Sequence, residues 1–88
     1  MNWDLNVAKP AQKKLARLLP KDQERIKVAL ELLRNDPYNA NIKPLKKYHV
    51  GWDKRVGNWR ILFDLYPDRK HIDVVAIERR TTTTYRKR

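Results

Sequence analysis

Hydrophobic and polar residues follow two different periods along this chain. Near the N-terminus, residues 3–7 alternate between apolar and polar side chains, which is typical of a half-buried strand. After Pro10, apolar residues recur three or four positions apart, which predicts two helices that meet at Pro20. The second helix runs from about Lys21 to Arg34 and ends at Asn35-Asp36-Pro37. The pattern therefore begins as a strand followed by a helix pair.

The second half of the chain predicts a loop over residues 37–51 and then three strands, at about 52–56, 59–66 and 71–79. Gly57-Asn58 is a two-residue turn between the first two of these strands. A turn of this length fixes the register, so Val56 should face Trp59 and Arg55 should face Arg60. The second connection, residues 67–70, should place Tyr66 opposite His71.

If the last two strands pair without interruption from that second connection, the register assigns each of their side chains to one face of the sheet. The face toward the helices should be aromatic and aliphatic, with Trp59, Ile61, Phe63, Leu65, Ile72, Val74 and Ala76. The opposite face should carry Arg60 and Arg79 beside Arg55. We therefore predict one α+β domain over residues 1–88: an N-terminal strand, an antiparallel helix pair and a three-stranded antiparallel meander, with the helices on one face of the sheet.

Two arginines directly opposite each other on a sheet repel. A fold tolerates such a pair most easily where an anion binds between the side chains, and guanidinium groups bind phosphate oxygens through paired hydrogen bonds. Arg55, Arg60 and Arg79 are therefore predicted to form a phosphate site, although the same residues would also suit a solvated basic surface. If repulsion dominates, Arg60→Ala should cost little stability.

Composition extends this interpretation to the whole surface. The 88 residues include 21 Lys and Arg against 10 Asp and Glu, a net charge of +11, which favours a polyanionic partner such as nucleic acid. Lys43, Lys46 and Lys47 add a basic edge to the loop before the three strands. The absence of cysteine fits a reducing cytoplasm, and neither a signal peptide nor a membrane-spanning run is evident. We expect no metal site and no cofactor.

Tyr85 and the histidines leave several roles open. The Tyr85 phenol can stack on an unpaired base, help to move a proton beside arginines, or pack the end of the sheet. His49 lies in the basic loop, whereas His71 is predicted beside a turn.

The strand–helix–helix–three-strand order, with Arg-Val-Gly-Asn-Trp-Arg-Ile-Leu-Phe at 55–63 and Arg-x5-Tyr at 79–85, resembles the RelE/ParE toxin superfamily over nearly the whole chain. The C-terminal Arg and Tyr favour the RelE branch. That resemblance implies the toxin of a type II toxin–antitoxin pair, which enters the ribosomal A site and cleaves mRNA without a metal. In that reaction the ribose 2′-OH attacks the adjacent phosphate. The expected partners are a cognate acidic antitoxin, mRNA and ribosomal RNA.

Carried over by position, the resemblance makes Arg60 and Arg79 the phosphate-stabilising arginines and Tyr85 the functional tyrosine. The residues expected to hold RNA or phosphate are Arg55, Lys54, Lys47, Lys46, Lys43, Arg80 and Arg86.

One position departs from the family pattern. Some members have a basic residue where this chain has Asp53, so the general base stays open. The candidates are Lys54, His49, Lys47, Glu78 and Tyr85. Two alternative functions also stay open: a ParE-like inhibitor of DNA gyrase without nuclease activity, and a non-catalytic RNA-binding domain.

Overall fold

A five-stranded mixed sheet with two helices on one face is formed by the residues that the computed structural model describes, 2–45 and 51–80. The strands are β1 (Asp4–Val7), β2 (Lys43–Pro44), β3 (Trp52–Val56), β4 (Trp59–Tyr66) and β5 (His71–Arg79). The helices are α1 (Lys9–Arg17) and α2 (Pro20–Asn35), and a 3₁₀ turn spans Pro37–Asn39. The strand order is β1-β5-β4-β3-β2. The predicted α+β class is confirmed.

Prolines begin both helices. Pro10 and Pro20 lie in the first turns of α1 and α2, where a backbone N–H would have no partner within the helix. After α2, the Asp36 carboxylate accepts hydrogen bonds from the Tyr38 amide at 3.2 Å and from the Asn39 side chain at 2.9 Å. The chain is thereby turned away from the helix axis at the place that the sequence predicts. Neither helix of the described residues is both long and apolar enough to cross a membrane.

The core lies between the helices and one face of the sheet. Helix α2 contributes Ile26 and Leu33, which pack in the same buried cluster as Phe63 of β4 and Val74 of β5. All four of these side chains are fully inaccessible to solvent. Burial of this kind contributes roughly 1.5–3 kcal/mol for each large apolar side chain.

The β3–β4 hairpin has the predicted register. Val56 pairs with Trp59, and Arg55 pairs with Arg60. Gly57 has a φ of 60°, the left-handed conformation that a type II′ turn requires at its first central position. The Gly57-Asn58 turn therefore places the two arginines opposite each other.

Strands β4 and β5 pair as predicted only at the end near their connection. Tyr66 is opposite His71 and Phe63 is opposite Val74, but Leu62 is opposite Ala76, so Val75 is an extra residue in β5. Such a β-bulge reverses the faces of all the residues beyond it. The assignment of Ala76 to the helix face is wrong for this reason, and Ile77 is buried there instead, with 2% of its surface exposed.

The sheet has two features that the sequence does not predict. Strand β1 joins the sheet beside β5 and runs parallel to it. The two-residue strand β2 pairs with the other edge, where Lys43 lies opposite Asp53. These additions leave the predicted three-stranded meander at the centre.

Candidate nucleic-acid interface

Arg55 and Arg60 lie opposite each other on the face of the sheet that is turned away from the helices. We call this surface the Arg60 face. Its charged side chains include Lys43, Asp53, Arg55 and Glu78 around Arg60, and the opposed pair Asp64 and Asp73 further along the strands. Arg55 is exposed, whereas 24% of the Arg60 side chain is accessible. Two guanidinium groups are thus held side by side at a partly open surface, as the hairpin turn predicts.

Two carboxylates lie beside Arg60. A terminal nitrogen of Arg60 is 3.9 Å from the Asp53 carboxylate, and the other is 3.4 Å from the Glu78 carboxylate. Only 3% of the Asp53 surface is exposed, and a charge this deeply buried is stable only when it is paired. The interpretation of Arg55 and Arg60 as an uncompensated pair is therefore wrong, because the two acids offset the repulsion.

The bulge decides which of two neighbouring residues of β5, Glu78 or Arg79, lies on the Arg60 face. Without Val75 as an extra residue, Arg79 would lie on the Arg60 face and Glu78 on the helix face. With it, Glu78 pairs with Arg60 and Arg79 pairs with Trp59. The prediction that Arg60 and Arg79 share a face is wrong for this reason. The Arg79 guanidinium is instead 5.7 Å from the centre of the Trp59 ring, a cation–π distance.

Further arginines surround the turn of the β3–β4 hairpin. The Arg80 side chain donates a hydrogen bond of 2.9 Å to the Gly57 carbonyl, and its backbone amide donates one of 2.7 Å to the Asn58 carbonyl. From α2, an Arg25 nitrogen comes so close that a Cβ on Gly57 would be 3.1 Å from it. We name this cluster the hairpin-tip arginines: Arg25, Arg55, Arg60, Arg79 and Arg80. The cluster extends around the turn, from the Arg60 face of the sheet to the helix face.

The two lysines of the predicted interface lie on different faces. Lys43 is exposed opposite Asp53, on the Arg60 face. Lys54 lies on the helix face, where its ammonium group donates a hydrogen bond of 2.5 Å to the Ala40 carbonyl. Desolvation by burial lowers the pKa of Lys54 from its usual value. Lys54 is therefore separated from Arg60 by the sheet itself.

Several predicted site residues lie outside the described ranges. They are Lys46, Lys47, His49, Tyr85 and Arg86. Their predicted roles stay predictions. Within residues 2–45 and 51–80, no three His, Asp or Glu side chains come together as potential metal ligands.

The described part of the interface combines two chemical capacities. The arginines at the hairpin tip can bind phosphate oxygens along a backbone that crosses the sheet edge. Glu78, with 47% of its side chain accessible, offers a carboxylate next to Arg60. An arginine beside an accessible carboxylate can hold an anion and accept a proton from a neighbouring group.

Comparison with solved structures reveals the same architecture in known toxins. A chain of the RelE–RelB complex from Pyrococcus horikoshii superposes with a TM-score of 0.80 at 17% identity, covering 93% of this chain and 99% of that one. A chain of the RelB–RelE antitoxin–toxin complex from Methanococcus jannaschii gives 0.66 at 27% identity, covering 84% and 88%. The chain has the RelE fold. The predicted resemblance to the RelE/ParE superfamily is thereby confirmed at the level of the fold.

The fold is shared by more than one branch of that superfamily. A YoeB/ParE toxin from Agrobacterium tumefaciens superposes with a TM-score of 0.71 at 14% identity, covering 89% of this chain and 99% of that one. No family model matches the sequence, and no curated protein matches it. The RelE fold therefore rests on three-dimensional similarity, and the site must be judged from its own residues.

The sequence does not predict that two residues, Arg25 and Asp53, belong to the interface. Arg25 lies on a helix among other charged residues, and its nearness to Gly57 depends on how α2 packs against β3. Asp53 occurs in an alternating strand segment that gives no indication of burial. The resemblance implies a basic residue at this position in some family members, and the departure at Asp53 is the one available signal.

Proposed function

We propose that this protein is the toxin of a type II toxin–antitoxin pair, and that it acts in the cytoplasm as a ribosome-dependent mRNA endonuclease. The RelE fold supports the toxin role, and the net charge of +11 suits a partner of the opposite charge. The observation that carries the proposal is the opposed Arg55–Arg60 pair at a partly open face, with further arginines around the same turn.

In this proposal the substrate RNA lies across the hairpin tip. Arg60 binds the scissile phosphate and stabilises the extra negative charge of the transition state, while Arg55 holds the same or the next phosphate. Arg79, beside the Trp59 ring, binds the RNA backbone on the helix side of the sheet. Tyr85 keeps its proposed catalytic role of orienting or activating the reacting groups. The reaction uses the ribose 2′-OH, so it selects RNA over DNA.

The antitoxin in this proposal is an acidic protein. Its bound segment would neutralise the hairpin-tip arginines and so compete with RNA for the same charges. The ribosome supplies the second macromolecular partner, because ribosomal RNA adds backbone phosphates for Lys43 and for the basic loop after it.

Inducible expression followed by mapping of mRNA 5′ ends tests the function. We expect new 5′ ends within translated codons, and their loss in Arg60→Lys, which keeps the charge but removes the two-pronged guanidinium geometry. Arg34→Lys is the matched control, because Arg34 pairs with Glu31 on the surface of α2 at 3.3 Å, away from the interface. Intact mRNA in cells that the wild-type protein has arrested would contradict the proposal.

A second candidate is a ParE-like inhibitor of DNA gyrase, which binds without cleaving RNA. The observation that favours it is the presence of both Asp53 and Glu78 beside Arg60, since carboxylates compete with phosphate for a guanidinium group. Trapped gyrase–DNA cleavage complexes together with intact mRNA would establish this candidate. A non-catalytic RNA-binding domain would give neither result.

A further inference from the structure

We propose that Glu78 is the general base of the reaction, an inference that rests on the proposed nuclease function. The β-bulge at Val75 places this carboxylate directly opposite Arg60, with 3.4 Å between Glu78 Oε1 and a terminal nitrogen of the arginine. Bulges frequently re-aim a side chain next to an active site. Here the bulge exchanges an arginine for a carboxylate on the Arg60 face.

Glu78 differs from Asp53, the other acid at this site, in how much of its side chain is accessible to solvent. Asp53 also contacts Arg60, but its side chain is only 4% accessible, so a substrate hydroxyl has little access to it. The Glu78 side chain is 47% accessible and lies at the open end of the sheet. Asp53 therefore acts as the fixed counter-charge of Arg60, while Glu78 is free to exchange its arginine contact for a substrate contact.

Lys54, another candidate for the general base, does not lie on the Arg60 face. Its amine lies on the helix side and donates to the Ala40 carbonyl. Among the described candidates for the base, Glu78 alone is both accessible and next to Arg60. A phosphate bound to Arg60 would bring the adjacent ribose close to the Glu78 carboxylate, because an attacking 2′-oxygen lies about 3–3.5 Å from phosphorus in a reactive geometry.

The step conserves atoms and charge. Glu78 accepts the proton of the 2′-OH as the 2′-oxygen forms its bond to phosphorus. The bond from phosphorus to the 5′-oxygen breaks, and that oxygen takes a proton from water. The products are a 2′,3′-cyclic phosphate and a 5′-OH end, and protonated Glu78 returns its proton to solvent.

Single-turnover cleavage of mRNA on purified, programmed ribosomes tests the role of Glu78. Glu78→Gln keeps the size of the side chain but cannot accept the proton, so we expect a cleavage rate about 100-fold or more below wild type. Binding of an uncleavable mRNA with a 2′-deoxyribose at the cut site should be unchanged or tighter, because a negative charge has been removed. Glu78→Asp retains a carboxylate and should recover part of the rate.

Glu31→Gln is the matched control, since Glu31 is also an exposed glutamate within 3.4 Å of an arginine, and it should cleave at the wild-type rate. Cleavage by Glu78→Gln within threefold of wild type would overturn the assignment of the base while leaving the nuclease function intact. A Glu78→Asp rate no higher than that of Glu78→Gln would also overturn it. Absence of cleavage by the wild-type protein itself would overturn both proposals.

Discussion

The two ends of strand β4 differ in how they pair with β5. From Phe63 to Tyr66, the partners on β5 follow the register set by the connection between the strands, and apolar side chains fill the core. From Trp59 to Leu62, each partner is one residue further along β5 than that register predicts. Arg60 and Glu78, the opposed charged pair of the interface, lie at this second end.

The difference shows what a single extra residue does in a sheet. A bulge leaves the apolar face continuous, because Ile77 takes the core position that Ala76 would have occupied. On the other face it replaces Arg79 with Glu78 next to Arg60. The bulge thereby adds an accessible carboxylate beside Arg60, and an arginine next to an accessible carboxylate has a different chemistry from arginines alone.

Engineered cysteine pairs provide the most decisive test of the slipped register, because the chain has no cysteine of its own. Trp59→Cys with Arg79→Cys should form a disulfide on mild oxidation, since these residues are directly opposite. Trp59→Cys with Glu78→Cys is the pair that an uninterrupted ladder favours, and it should stay reduced. Mass spectrometry after thiol labelling measures both, and the reverse result would refute the bulge.

The two ends of β4 should also differ in their contribution to stability. Phe63 is fully buried, so Phe63→Ala should lower the free energy of unfolding by about 3–5 kcal/mol. Trp59 is only half-buried at the charged end, and Trp59→Ala should cost less than Phe63→Ala despite its larger ring. Urea denaturation measures both variants. A larger loss for Trp59→Ala would mean that the charged end belongs to the core.

The ion pairs of Arg60 reverse the stability expected from repulsion alone. Arg60→Ala should lower the free energy of unfolding by roughly 2 kcal/mol, because it leaves the buried Asp53 carboxylate without its counter-charge. Adding Asp53→Asn to Arg60→Ala should recover part of the loss.

A double-mutant cycle in urea measures this coupling. Arg34→Ala, which removes a surface pair with Glu31, should change stability by less than about 1 kcal/mol and serves as the control. A thermal or urea melt in which Arg60→Ala is as stable as wild type would mean that repulsion between Arg55 and Arg60 outweighs the ion pairs.

The smallest expected effect concerns Lys54 and pH. Burial lowers the pKa of Lys54 in the folded protein, whereas the unfolded chain keeps the usual value of 10.5. Between these two values the unfolded state binds more protons, so the contribution of Lys54 to stability rises with pH over that window. Wild type should therefore gain stability relative to Lys54→Met as the pH rises toward 10.5. Parallel urea curves for the two proteins at every pH would contradict this.

The sequence predicts the fold well because its local rules and its global pattern agree. Gly57-Asn58 determines the β3–β4 register, and prolines mark the starts of both helices within one or two residues. The strand boundaries 52–56, 59–66 and 71–79 agree with the structure for the same reason. The pairing of β3 with β4 follows one register along its whole length, and among these three strands the register shifts only between β4 and β5.

The candidate site is predicted less well because its geometry depends on non-local contacts. Val75 is a typical strand residue, and nothing around it in the sequence marks a bulge. Both the face of Arg79 and the place of Glu78 follow from that one residue. The pairing of Arg60 with Asp53 likewise requires knowledge of which carboxylate is buried, and this is a property of the folded sheet.

The parallel pairing of β1 with β5 has a consequence for how the protein is made. Asp4 pairs with His71, so β1 must wait until β5 has left the ribosome before it can join the sheet. Contacts between distant parts of a chain slow folding and postpone it. The central strand β4 and its partner β5 also carry Arg60 and Glu78, which come together only when β5 has been synthesised. A nascent chain therefore cannot assemble this site until β5 has left the ribosome.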